Sequence, residues 1–340
     1  MKKITGLLAA LLSSAMLFAQ ADVHFSQFYE TSIIRNPALT GVLSDNFKFT
    51  GYERTQWAAF PNPYQTVLLN GQYRLALKGS ANDFLSFGLL GYMDRAGDLN
   101  QKITAVYPVI NYNKCLSDLN KTYLSFGFTG GYDQYSFEPS NGTFDEQFVG
   151  GSFNSANPSF ETFPNPKLTF FDVGAGINFN TTPARTGKVT YIIGASAYHF
   201  NRPSFSYYHT DGYNLNIRWN GNAAAVIDIA ERQFLQLEGN YARQGVYQEI
   251  VGGGLFGWKR FTTGPEPLFI FQAGVLYRYQ DAIVPIIKAT YKKVSAGISY
   301  DVNISTLRTA SNYRGGFEFT LSVSGNYPRR EYPKTMCPKF

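Results

Sequence analysis

Side chains able to do chemistry are few and scattered. Histidine occurs three times, as His24, His199 and His209, and cysteine twice, as Cys115 and Cys337. One common signature of hydrolytic zinc sites sets two histidines one helical turn apart around a glutamate. Serine hydrolases hold their nucleophile in a Gly-x-Ser-x-Gly turn. Neither pattern occurs. The clusters Gly174-Ala175-Gly176 and Gly252-Gly253-Gly254 precede no helical pattern, so the phosphate cradle of a dinucleotide fold is missing too. No cysteines are spaced for a metal. The chain is therefore expected to be no enzyme, with no catalytic residue, cofactor or metal. His199, near the end of a predicted strand, reads as an interface residue rather than a base, because a base needs partners.

What the sequence has in quantity is aromatic residues and glycine: 24 Tyr, 29 Phe and 32 Gly in 340 residues, with only 16% charged residues against about 25% in ordinary soluble domains. The formal charge is +6, of which Lys2 and Lys3 supply two. No Lys/Arg run is dense enough for a nucleic-acid surface, Arg329-Arg330 included. This mixture suits many short strands joined by turns.

Alternation bears that out. Val294, Ala296, Ile298, Tyr300 and Val302 interleave with Ser295, Gly297, Ser299, Asp301 and Asn303, giving a strand of period two with one apolar and one polar face. Phe317, Phe319, Leu321 and Val323 repeat the pattern against Arg314, Gly316, Glu318, Thr320 and Ser322. Comparable stretches are Phe47 to Trp57, Tyr64 to Leu75, Phe84 to Met93, Lys102 to Tyr112, Lys121 to Tyr132, Leu168 to Phe179 and Lys188 to Phe200. Tyr213 to Asp228, Arg232 to Tyr241, Val246 to Trp258, Leu268 to Tyr279 and Ile283 to Tyr291 complete the set. In a soluble sandwich the apolar faces would meet a second sheet; in an outer-membrane barrel they meet lipid around a polar lumen.

Connection lengths favour the barrel. Asp133 to Lys167, Asn201 to Gly212 and Ile304 to Tyr313 follow the fifth, seventh and thirteenth strands, so with an inner amino terminus all three lie outside, where such barrels keep their long loops. The expected fold is all-β: a transmembrane outer-membrane barrel of about fourteen antiparallel strands spanning residues 46–324. Residues 1–21 carry the charged, apolar and small-residue regions of a secretory signal cleaved after Ala19 or Ala21. Residues 22–45 lose the alternation and read as an irregular segment in or near the lumen, where Phe25, Phe28, Tyr29, Asn36 and Pro37 would sit. Residues 325–340, broken by Pro328, Pro333 and Pro338, read as a short periplasmic tail.

Three motifs resemble a known family. His24-Phe25-Ser26-Gln27-Phe28-Tyr29 with Asn36-Pro37-Ala38 and Gly41, then Tyr52, Arg54, Gln56 and Trp57, is similar to the start of the PorP/SprF family. Tyr300-Asp301-Val302-Asn303, Ser305 and Leu307, then Arg314-Gly315-Gly316-Phe317-Glu318, resembles its penultimate hairpin, and Cys337-Pro338-Lys339-Phe340 its ending. The resemblance implies a non-enzymatic outer-membrane component of type IX secretion in a Gram-negative bacterium. Its implied partners are outer-membrane lipid, a secreted cargo protein such as a gliding adhesin, and periplasmic secretion components. The rival reading is a channel for hydrophobic or small polar solutes, of the fatty-acid-transporter or porin kind.

Binding candidates lie in the outer loops. Phe144, Phe148 and Phe153 belong to the longest, where the aromatics either fold into the lumen or form a partner surface, and Phe205, Tyr207, Tyr208 and His209 form a second patch. Cys115, expected in the turn after the fourth strand, and Cys337, in the tail, would both face the oxidising periplasm, paired or as two free thiols.

Overall fold

The computed structural model describes residues 22–56, 62–77, 82–185, 187–208, 210, 212–262, 264–306 and 314–327. The strands are β1 (Phe47–Gln56), β2 (Tyr64–Ala76), β3 (Phe84–Ala96), β4 (Gln101–Ser117), β5 (Thr122–Ser136), β6 (Phe148–Val149), β7 (Ser152–Phe153), β8 (Lys167–Thr181) and β9 (Val189–Tyr198). They continue as β10 (Arg218–Ala230), β11 (Gln233–Gln244), β12 (Tyr247–Arg260), β13 (Phe269–Arg278), β14 (Ala282–Tyr291), β15 (Val294–Asn303) and β16 (Arg314–Gly325). Apart from β6 and β7, which form a small hairpin of their own, each strand pairs antiparallel with its neighbour in sequence, β5 pairs with β8, and β16 returns to β1. Fourteen strands thus close into one barrel. Closure satisfies every strand edge, the condition for backbone to lie in hydrocarbon.

The exposed side of the wall is the apolar one. On β15, Ile298 is 48% exposed while its inward neighbours Ser299 and Asp301 are 1% and 2% exposed. A soluble sandwich would show the reverse, because its apolar faces pack on each other. Aromatic rings collect outward near both rims: Tyr132, Phe171, Trp219 and Tyr277 at the end with the long loops, Tyr112, Tyr191, Trp258 and Tyr291 at the other. Such girdles mark the headgroup levels. Glu53 on β1 is an exposed carboxylate on this face, between Val67 and Phe319.

All fourteen expected strands are present, with three local corrections. The β4–β5 ladder extends to Ser117 and Thr122, so Cys115 lies within β4 rather than in the turn after it, on the inward parity near the short-turn rim. β10 begins at Arg218 and not Tyr213, because Leu215 donates its N–H to the Pro203 carbonyl and Ser204 bridges Asn214, which ties that stretch into the outer loop. β9 stops at Tyr198, where His199 adopts a left-handed φ of 61° that a strand cannot continue. Residues 1–21, Trp57, His209, Leu307 and Cys337 lie outside the described residues. Among those described, no helix is long and apolar enough to cross a membrane.

The amino-terminal stretch runs inside the wall. It forms a 3-10 turn at Phe28–Glu30, one helical turn at Ser32–Arg35 and a second 3-10 turn at Pro37–Leu39. Asn36 caps the last, its side chain accepting the Ala38 N–H at 2.9 Å with proline at the first helical position. Two clusters of inward side chains receive it: Phe25 and Ile33 pack with Tyr52, Leu68, Leu90 and Tyr107, and Phe28 packs with Val251, Leu255, Leu276 and Ile286.

If lipid covers the outer face, Phe128→Arg near the middle of β5, where the ring is 59% exposed, will destabilise the folded barrel by about 2–4 kcal/mol. Urea titration in liposomes, read by the heat-dependent gel shift, measures it. A change under half a kcal/mol would point to water at that face.

Candidate functional site

The contacts between the amino-terminal stretch and the lumen wall are built from charges that the alternation placed inside. Glu318 on β16 accepts the Ser26 and Gln27 N–H groups at 2.7 and 2.8 Å, lies 3.3 Å from the Arg54 guanidinium, and accepts the Tyr52 hydroxyl. Asp301 on β15 receives Arg54 and Arg278, each at 3.2 Å, and the Ser26 hydroxyl. Gln27 closes the group by donating to Ser299 at 3.1 Å and accepting from Thr320 at 3.1 Å. A carboxylate taken from water needs partners on all its lone pairs, and Glu318 has them.

Further along, Glu30 lies between Lys48 at 2.6 Å and Lys288. Burial alone would raise its pKa, but the two ammonium groups hold the carboxyl well below the usual range. Arg35 pairs with Glu238 at 3.1 Å, and its carbonyl accepts from Ser196. Asn36 donates to the carbonyls of Ile177 and Ala195 and to the Asn222 side chain. The wall is cut away to fit: a Cβ on Gly176 would lie 2.0 Å from the Asn36 side-chain oxygen, and one on Gly127 would lie 2.3 Å from the Pro37–Ala38 peptide. Asn111 holds the far side, donating to the Ala38 and Thr40 carbonyls at 2.9 and 2.7 Å.

The stretch begins at Asp22, which meets His199 at 2.8 Å and Arg218 at 3.2 Å; His199 also lies 3.0 Å from Asp172. Burial opposes charge on the imidazole, yet Asp22 and Asp172 outweigh it and lift its pKa to about 10. Beside this group a cavity of about 30 Å³, lined by Val23, Ile33, Tyr92, Tyr107 and Tyr198, separates the stretch from the wall, room for about one water molecule.

The outer mouth has a different character. A cavity of about 600 Å³ opens among four outer connections, lined by Tyr64, Leu99, Phe137, Phe163, Tyr207 and Tyr208. Phe137 meets Phe163 and Tyr207 edge-on with ring centres 5.5 and 5.0 Å apart, and Phe144 meets Phe163 at 5.9 Å. Phe205 sits lower, packed edge-on to Tyr135 at 5.0 Å. The Tyr207 hydroxyl is buried without a partner among the described residues.

Phe25, Phe28, Tyr29, Asn36 and Pro37 thus lie in the lumen, and Phe144, Phe205, Tyr207 and Tyr208 at the mouth. Phe148 and Phe153 do not join them; they pair with each other in the β6–β7 hairpin, 57% and 46% exposed. Cys115 is a free thiol among the described residues. The ion pairs of Glu30, Arg35 and Asp22 were not expected. Their signal was nonetheless present: charges on the polar face of predicted strands, such as Lys48, Glu238, Lys288 and Glu318, need counter-charges, and the one non-alternating stretch carries Asp22, Glu30 and Arg35. No cluster of three or more His, Cys, Asp or Glu side chains is placed to hold a metal among the described residues.

Two outcomes follow from this network. Glu30→Gln strands two partly solvated ammonium groups and will loosen the segment by roughly 3 kcal/mol, the low end for a broken buried pair. Protease protection of residues 22–46 in detergent measures this, and unchanged protection contradicts it. His199, whose folded pKa is raised, stabilises fully below about 6.5 and loses that contribution as pH rises through about 10. Histidine NMR should find it protonated at about pH 8, and Asp22→Asn should lower its midpoint by at least about one unit. A neutral ring at that pH in the parent chain removes the inference.

Residues 17–323 match the family described as type IX secretion system membrane protein PorP/SprF. A search of curated proteins finds no match. Among solved structures, the chain resembles a TodX deletion mutant, a monoaromatic hydrocarbon channel, at 11% identity and TM-score 0.51, covering 87% of this chain and 94% of that one. It also resembles a Pseudomonas aeruginosa FadL homologue at 11% identity and TM-score 0.45, covering 86% and 94%, and Pseudomonas putida TodX at 11% and 0.46, covering 87% and 93%. The first likeness shows a shared outer-membrane barrel fold. With its family match running from residue 17 to residue 323, the chain belongs to the PorP/SprF family of type IX secretion system membrane proteins and is a β-barrel of the outer membrane.

Proposed function

We propose that this secretion-system barrel works without chemistry of its own, taking part in the export or surface attachment of a secreted cargo protein through its outer mouth, and meeting periplasmic secretion components through its inner rim and tail. In this reading residues 1–21 are a signal peptide, residues 22–45 a plug, and residues 325–340 a periplasmic tail. The observation that carries the proposal is the anchoring of the segment across the lumen by ion pairs and hydrogen bonds. Inward charges that would line a wet channel are instead matched to Asp22, Ser26, Gln27, Glu30 and Arg35. A barrel stoppered in this way acts by what it presents at its ends. The mouth suits contact with protein, because rigid aromatic rings such as Phe137, Phe163 and Tyr208 bury much area at little entropic cost.

The solute-channel reading keeps one support, the barrel shared with TodX at TM-score 0.51. It requires the segment to leave or shift. Pull-down from detergent-solubilised envelopes, with mass spectrometry of what co-elutes, separates the two. The parent chain should retain type IX components together with a secreted surface protein. The pair Phe137→Ala and Tyr207→Ala should reduce the surface protein at least roughly tenfold, as expected when two buried aromatic anchors are truncated, and spare the periplasmic components. Absence of any secretion component, together with solute flux into liposomes through the intact chain, would replace this reading by the channel.

A further inference from the structure

Three cations stand in one cross-strand row on the outer wall, at the rim that carries the long loops. Arg95 on β3 is directly opposite Lys102 on β4, Lys102 is opposite Ser136 on β5, and Ser136 is opposite Lys167 on β8. All four share the outward parity of their strands. One outward step toward the midplane lies the row Met93, Thr104, Gln134 and Thr169, polar but for Met93, and one step further the apolar row Val106, Tyr132 and Phe171, at 45%, 53% and 59% exposure.

Such a row is unfavourable by itself. Neighbouring strands are about 4.8 Å apart, which sets Arg95 beside Lys102 and Lys167 about 10 Å beyond, and like charges directly opposite destabilise a sheet. None of the three has an ion-pair partner among the described residues. The nearby acids are engaged elsewhere: Asp98 accepts from Asn62 at 2.7 Å, and Glu138 accepts from Asn100 and Asn141 at 2.6 and 2.9 Å. At the opposite rim Lys114 is paired with Asp83 at 2.9 Å, Lys293 with Asp45 and Glu266 at 2.8 and 3.1 Å, and Arg260 stands opposite Phe269 rather than a second cation.

We propose that Arg95, Lys102 and Lys167, with the Ser136 hydroxyl between them, bind the phosphate groups of a phosphorylated glycolipid in the outer leaflet. The row asks for an occupant that is anionic, carries negative charge at more than one point across about 10 Å, and has acyl chains to lie along Val106, Tyr132 and Phe171. A soluble anion meets the first requirement alone. The inference rests on the membrane placement of the barrel and is independent of any cargo.

The test uses the full chain in phosphatidylcholine nanodiscs, with binding read by native mass spectrometry against bisphosphorylated lipid A, dephosphorylated lipid A, phosphatidylglycerol and free pyrophosphate. Bisphosphorylated lipid A should bind best. The triple variant Arg95→Gln, Lys102→Gln, Lys167→Gln should weaken it roughly 100-fold, and Lys102→Gln alone about fivefold, at the usual contribution of a cation near an anionic surface. Removing the lipid phosphates should reproduce the triple loss, while Lys114→Gln with Arg260→Gln at the other rim should leave affinity within about twofold. Equal binding of the dephosphorylated lipid, of phosphatidylglycerol or of pyrophosphate would overturn the proposal, as would unchanged affinity in the triple variant. The heat-dependent gel shift confirms that each variant is a closed barrel, and the single variant decides the matter if the triple does not fold.

Discussion

The Glu318 carboxylate is where wall and segment become one structure. It is fully buried, a placement that costs several kcal/mol for an unpartnered charge. Its partners come from both sides of the divide: Arg54 and Tyr52 from β1, the Ser26 and Gln27 N–H groups from the segment. Neither half satisfies it alone. Since β16 and β1 are also the strands that complete the barrel, closing the cylinder and seating the segment draw on the same carboxylate. Asp301 on the adjacent strand repeats the arrangement with Arg278 and the Ser26 hydroxyl.

That dependence follows from the inversion of the barrel. With apolar side chains on the exposed face, the inward positions carry the polar groups, together with the two apolar clusters that receive Phe25 and Phe28. The four charged or amide anchors of the segment, Asp22, Glu30, Arg35 and Asn36, each meet complementary groups on the wall: β10 with His199 after β9, then β1 with β14, then β11, then β8 to β10, so that β10 serves the first and the last. The attachment is therefore distributed around the circumference. A change on β1, β11 or β14 leaves the anchors on the other strands in place, and release of the segment would require several pairs to open together.

The wall was readable because its code has period two and lipid enforces it. Every expected strand is present, and the misjudged limits fall where a non-periodic event intervenes: the left-handed backbone of His199, the Ser204–Asn214 bridge, the extra reach of β4 that takes in Cys115. The segment was readable only as a place where alternation fails. Its aromatics implied burial, but its pairings join residues far apart in sequence, Glu30 with Lys288 and Ser26 with Glu318, and no local pattern encodes those. At the mouth, composition alone could not divide the aromatics. Tyr207 lines the cavity against Phe137 and Phe144 packs behind it on Phe163, while Phe148 and Phe153 are carried off by the short β6–β7 hairpin.

The glycines of the wall explain why the Asn36-Pro37-Ala38 turn sits where it does. Gly127 on β5, Gly176 on β8 and Gly194 on β9 lie on inward positions of three consecutive strands, and a Cβ on any of them would come within 2.8 Å of this turn. The hollow they leave admits backbone rather than side chain, so the turn packs close enough for Asn36 to reach the Ile177 and Ala195 carbonyls. Those carbonyls belong to strands at ladder positions, and each has a second lone pair free for such a bond. Proline suits the turn because it has no N–H to satisfy in a buried place. Asparagine suits it because one amide can donate to the wall while its oxygen caps the turn that follows. The triplet and the three glycines are thus two halves of one fit, and a larger residue on either side would separate the segment from the wall at its tightest point.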